Sequence, residues 1–271
     1  MNSPSPVLLV SVGAAELKDD SHQPEDTNAI HVPFFRTLGA ISYGEYKEYR
    51  YFDTGTLFWS LSRLFGNYER IMSVLDSPKN ERGYLDSDIE HFVIRFRIVL
   101  NDIAFIIRRL LPQNVRGFKS PGGGAHPRNR EMPYSDLSKS LLKSTEFPEV
   151  AAAFYNASKW VDKFKKEREN VVHYKTKIVV FEAHPLAFGF MDAAGEIGVE
   201  KTSDGGHRLT LHPIANYVND LTLNLHQFMH IDLNAAVENH ATRLGLKQVQ
   251  VGTNERIICA GIRRFRELNL I

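Results

Sequence analysis

The chain has 271 residues, with 33 Lys+Arg against 32 Asp+Glu for a formal net charge of +1, and is 43% hydrophobic and 24% charged. Those proportions suit one large globular domain or two small ones and exclude disorder, collagen and coiled coil as whole-chain descriptions. With no overall positive field, a site for an anionic polymer has to be a local patch.

Cys259 is the one cysteine, so an internal disulfide and multi-cysteine metal clusters are excluded, which fits a reducing compartment. The apolar run from Pro6 to Ala15 lacks a positively charged start and does not read as a secretory signal. The longest apolar helical stretch, Ile94 to Leu111, is interrupted by Arg95, Arg97, Asn101, Asp102 and Arg108, so it does not read as a membrane span. The expectation is a soluble, cytoplasmic protein with no membrane partner.

Residues 1–52 read as an irregular arm lying on the domain, with a short strand at Val7 to Val12 and an aromatic stretch from Phe34 to Phe52. A first helix follows Asp53 or Thr54, both good N-caps, and carries Leu57, Phe58, Leu61, Leu64, Phe65, Tyr68 and Met72 at helical spacing, ending near Asp76. A second helix starts near Asp86 on the stripe Ile89, Phe92, Val93, Phe96, Leu100, Ile103, Ile107 and closes before Pro112. Residues 112–134 form a long loop around Gly122-Gly123-Gly124, basic through Arg116, Lys119, Arg128 and Arg130. No Lys-Ser/Thr follows the glycines, so the loop is not a P-loop and reads as a linker.

A short helix from Ser135 to Ser144 comes next. A longer one has Pro148 in its first turn and runs to about Tyr174 on the stripe Phe154, Ala157, Val161, Phe164, which continues onto Arg168 and Val172. Beyond Lys175 the period changes to two, and short strands are expected at 177–182, 186–191, 196–200 and 208–212 as one small antiparallel sheet. A last helix runs from about Pro213 to Leu244, with Gly245 as its C-cap. In the tail, 247–251 alternates like a strand and 256–268 fits helix or strand. The expected architecture is mainly α, a helical bundle with an added small antiparallel β-sheet. It divides into an arm (1–52), a bundle (53–176), a β element (177–213) and a C-terminal helix and tail (214–271).

The segment richest in chemistry is Lys165-Lys166-Glu167-Arg168-Glu169-Asn170-Val171-Val172-His173-Tyr174. Arg holds phosphate through bidentate, permanently charged hydrogen bonds, and His moves a proton near neutral pH. RNA cleavage by 2′-OH attack needs both tasks and no metal. Five residues turn a helix through about 140° beyond a full turn, so Arg168 and His173 would converge at a cleft or across a two-fold axis and not by stacking on one face. Glu169, four residues before His173, shares its face and would raise its pKa, favouring an acid. The lysines Lys159, Lys163, Lys165, Lys166, Lys175 and Lys177 outnumber the acids around the motif, a pattern that fits a phosphate backbone and also fits a solvated face.

This segment resembles the Arg-x4–6-His signature of HEPN domains (higher eukaryotes and prokaryotes nucleotide-binding). Arg168 and His173 match its two defining positions, and Val171-Val172 and Tyr174 match its usual flanks. The family often has Asn, Asp or His straight after the Arg, where this chain has Glu169, with Asn170 one later. The resemblance spans roughly 53–176 and implies an all-helical, usually dimeric bundle. Many such domains are metal-independent endoribonucleases of toxin–antitoxin and phage-defence systems; others bind nucleotides or RNA, or serve assembly. It implies Arg168 as the stabiliser of phosphate charge, His173 as general acid or base and Asn170 as an orienting group, and the local charge excess adds Lys165, Lys166 and Lys175 as RNA contacts. It further implies a homodimer, an antitoxin partner, no cofactor and no metal.

Two alternatives stand beside it. One is a non-catalytic helical dimerisation or interaction protein with Arg168 in interface ion pairs. The other is a metal-dependent enzyme using His226 and His230, which lie at i and i+4, with His240 within tolerance of the same face. Gln227 stands where a zinc-protease motif has Glu. No Gly-x-Ser-x-Gly elbow or strand-borne Gly-x-Gly-x-x-Gly occurs. Cys259 beside Ala260-Gly261 reads as packed, and the aromatics from Phe34 to Phe52 read as packing the arm to the core.

Overall fold

The computed structural model describes residues 29–31, 34, 37–38, 52–78, 82–111, 133–172, 176–182, 185–192, 198–201, 207–243, 256–258, 265 and 269; at 29–31, 52–54, 109–110, 133, 166, 168–172, 176, 192, 199–201, 207–209 and 256–258 it describes the backbone alone. The molecule is mainly helical with a small three-stranded antiparallel sheet.

Helices α1 (Phe52–Leu75) and α2 (Leu85–Leu110) form a hairpin. Their facing stripes, Leu57, Leu61, Leu64, Tyr68 and Ile71 against Ile89, Phe92, Phe96, Val99 and Ile103, are buried. Each fully buried side chain of this size contributes about 1.5–3 kcal/mol. Three polar pins show that the helices run antiparallel. Ser60 Oγ donates to Asp102 at 2.6 Å, Arg95 to the carbonyl of Arg63 at 3.3 Å, and Arg70 to the buried carboxylate of Asp88 at 2.9 Å. The residue after α2, Leu111, is extended (φ −103, ψ 146) because Pro112 disfavours a helical predecessor.

Helix α3 (Pro133–Leu142) lies on α4 (Pro148–Val172), with Tyr134 stacked on Phe154 at 4.8 Å and donating to its carbonyl at 3.3 Å. Phe96 of α2 meets Phe164 of α4 at 4.9 Å, and Phe154 meets Phe228 at 5.4 Å. This aromatic cluster is the centre of the bundle.

β2 (Thr176–Phe181) follows α4 and pairs antiparallel with β3 (Ala187–Asp192), from Thr176↔Asp192 to Phe181↔Ala187. β4 (Val199–Lys201) and β5 (His207–Leu209) form a separate ribbon. The single expected sheet is thus divided, and its expected last strand is split. β5 stops at Leu209, while His212–Pro213 (β6) pairs with β3 at the sheet edge. Pro213 has no N–H to offer a further strand, which suits an edge position.

The expected single helix from 213 to 244 is α5 (Ile214–His226), a π-helical stretch (Gln227–Leu233) and α6 (Asn234–Arg243). The π stretch has a cause in the sequence. Ile214, Val218, Leu221 and Leu225 are buried, and an α-helix continuing in that phase at 100° per residue would turn Asp232 inward. The wider turn brings Leu233 in instead, followed by Val237 and Ala241, and leaves Asp232 to accept from Gln227 five residues earlier at 3.2 Å.

β1 (Ala29–His31) pairs antiparallel with β7 (Arg256–Ile258), a pairing not anticipated from the sequence. Part of the expected arm is held to the body: Phe34 and Leu38 are buried, and Thr37 donates to Glu238 of α6 at 2.9 Å. Phe265 is buried against Phe65 and Tyr68 at 5.5 and 5.6 Å. The expected strands at 7–12 and 247–251 and the glycine loop lie outside the described residues.

Candidate functional site

The motif sits at the end of α4. Its apolar stripe, Phe154, Ala157, Val161 and Phe164, is buried in the bundle, so the helix has a fixed rotation as it approaches Arg168. The backbone of Arg168 and Asn170 lies in the last helical turns before Val172. The side chains of Arg168, Asn170 and Lys166, and all of His173 and Lys175, lie outside the described residues. The described part of α4 ends at Val172 and β2 begins at Thr176, so His173 lies in sequence between the two.

The described neighbours of the motif are specific. Glu167, adjacent to Arg168, accepts a 3.0 Å hydrogen bond from the hydroxyl of Tyr217 on α5. The Tyr217 ring packs on Phe188 of β3 at 5.0 Å and on His212 of β6 at 5.4 Å. Burial and the facing Glu167 carboxylate push the phenol's pKa well above its ordinary value, so it stays a donor. Elements fifty residues apart in sequence thereby meet at the helix end that carries Arg168. Tyr217 was not anticipated: it lies beside the α5 stripe, and no local pattern links it to Glu167.

Around this end, Lys159 and Lys163 on α4 and Lys177 on β2 are exposed, with Asp162 among them, while Lys165 is half-buried.

The histidine pair is a second cluster. His226 and His230 have ring centroids 4.8 Å apart. Burial, aided by His226, pushes His230 down to about 3, and burial lowers His226 as well, so both imidazoles are neutral near pH 7. His230 Nδ1 is buried and has no hydrogen-bond partner among the described residues. The expected third member is elsewhere: His240 is buried against Phe147 at 4.8 Å. The π stretch between the two positions breaks the α-helical phase that aligned them in sequence. Among the described residues no group of three or more His, Cys, Asp or Glu is arranged to hold a metal.

No family model matches the chain, and no curated protein or solved structure matches it. What the site can do follows from its own chemistry: an arginine position on a helix held in register, a histidine close after it in the sequence, and exposed lysines on the same helix and the following strand. Among the described residues no helix is long and apolar enough to cross a membrane.

Proposed function

We infer that the protein is an RNA-directed member of the HEPN-like class, a metal-independent endoribonuclease centred on Arg168 and His173. The observation that supports this reading most is the setting of the Arg-x4-His segment. It lies at the end of an amphipathic helix whose apolar stripe is buried in a helical bundle, with its last turns tied to α5 through Glu167 and Tyr217. In this reading a substrate 2′-OH attacks the adjacent phosphorus and its proton leaves to a base. Arg168 stabilises the added negative charge, His173 takes the 2′-OH proton or donates one to the departing 5′ oxygen, and Asn170 orients the phosphate. The P–O5′ bond breaks, giving a 2′,3′-cyclic phosphate and a 5′-hydroxyl end. Lys165, Lys166 and Lys175 hold the flanking phosphates, and two copies bring their motifs together in a homodimer.

The test is cleavage of total and synthetic RNA in the presence of a chelator, comparing wild type with Arg168→Ala and His173→Ala. Folding and oligomeric state are checked for each. Chelator-resistant cleavage lost in both folded variants supports the reading. Equal cleavage by all three proteins rejects it. Loss of dimerisation in Arg168→Ala, with no cleavage by wild type, favours an interaction protein. Activity lost on chelation and in His226→Ala favours a metal-dependent enzyme.

A further inference from the structure

The outward face of the α1–α2 hairpin carries an exposed tryptophan. Trp59 is 63% exposed and Ile98 of α2 is 44% exposed. Phe58 supports one edge of the indole, its ring centroid 5.6 Å away at 86°. Arg63, one turn along, lies on the same helical face and is exposed. Arg95 reaches across from α2 to the Arg63 carbonyl at 3.3 Å. The Arg95 guanidinium thus sits at the Arg63 backbone, and neither arginine has a carboxylate partner among the described residues. Asp102, one turn beyond Ile98, is engaged by Ser60. Burial, and after it the charge of Arg63, lower the Arg95 pKa.

Gly66 follows Arg63 by three residues on the same exposed face, and a Cβ there would meet nothing within 4 Å. Glycine inside a helix is unfavourable, and no neighbour of Gly66 requires it. A bare backbone at that point lets a ligand approach closely.

We propose that the α1–α2 face centred on Trp59, Arg63 and Arg95 is a docking surface for single-stranded RNA, with a base stacked on the indole and a phosphate held between the two arginines. An exposed indole beside unpaired guanidiniums offers the two contacts that sequence-tolerant strand binding uses. Charge favours this ligand over a second copy of the chain, because a two-fold contact through this face would bring the arginines toward their own copies. The inference rests on the RNA reading above for its ligand, and not on cleavage at Arg168 and His173.

The test uses a fluorescent 2′-O-methyl oligouridylate, which binds as a single strand but offers no 2′-OH for cleavage. Anisotropy titrations compare the full-length wild type with Trp59→Ala, Trp59→Phe and the double variant Arg63→Gln/Arg95→Gln, each checked by circular dichroism and thermal melting. Trp59→Ala is expected to weaken binding about tenfold, with Trp59→Phe recovering most of it. The double variant is expected to lower the salt dependence by about one counterion. Undiminished binding by folded Trp59→Ala, or no binding by wild type, overturns the proposal. So does self-association that Trp59→Ala abolishes without any effect on RNA. Cleavage lost in His173→Ala while these variants bind normally retains the ribonuclease and rejects this surface; Trp59-dependent binding without cleavage does the reverse.

Discussion

Tyr217 donates to Glu167 at 3.0 Å and so ties α5 to the end of α4, one residue before Arg168. A hydrogen bond to a charged group contributes about 1.5–3 kcal/mol. Tyr217→Phe keeps the ring against Phe188 and His212 and removes only that bond. The expected result is a stability loss of about 1–2 kcal/mol in urea. Faster amide exchange at 168–172 and reduced RNA cleavage should accompany it. If exchange at 168–172 is unchanged, the pair does not hold the motif.

The buried imidazole of His230 makes stability depend on pH. Its pKa is about 3 in the fold, against the ordinary 6.5. The unfolded chain therefore binds more protons once pH drops below 6.5. Stability is full above 6.5 and is lost progressively as pH falls toward 3, by on the order of 4 kcal/mol from this residue. Denaturation between pH 7 and 4 should show a steeper loss in wild type than in His230→Leu. Equal slopes would mean that the imidazole is not the cause.

Phe265 fills a site against Phe65 and Tyr68, and the Asn219 and Asn269 amides exchange hydrogen bonds at 3.0 Å. Tyr68 donates to the same Asn219 at 2.8 Å. Phe265→Ala should cost about 3–5 kcal/mol through lost burial and the cavity left behind. Chemical denaturation measures this, and a change under 1 kcal/mol would show that the contact is replaceable.

Gly66→Ala is expected to stabilise the fold by about 0.5–1 kcal/mol, because the added methyl meets open space and the helix gains an intrinsically better residue. The melting temperature should rise. A fall would indicate a packing demand on Gly66 that its surroundings do not show.

The hairpin and the motif helix were legible because their stripes follow one unbroken helical period: expected limits of 53–76 and 86–111 compare with Phe52–Leu75 and Leu85–Leu110. The period failed where phase changed without a break, at Gln227–Leu233, since glycine and proline mark stops and not an over-wide turn. That shift also separated His240 from His226 and His230. Contacts distant in sequence left no local trace: Ala29–His31 with Arg256–Ile258, and Tyr217 with Glu167. Trp59 was passed over in the sequence, although it is a large aromatic outside the stripe of Leu57, Leu61 and Leu64.

Thr37 reaches Asn234 and Glu238 across separations of 197 and 201 residues, and β1 closes against β7 farther along the chain. Closure over such loops pays its entropy before it gains any contact. On a ribosome, this segment therefore has to wait, undocked, until α6 and then β7 have emerged. Phe34 and Leu38, buried in the finished fold, stay open to chaperones while the residues between them and α6 are made. A stretch translated ahead of the bundle is thus among the last to take its place in it.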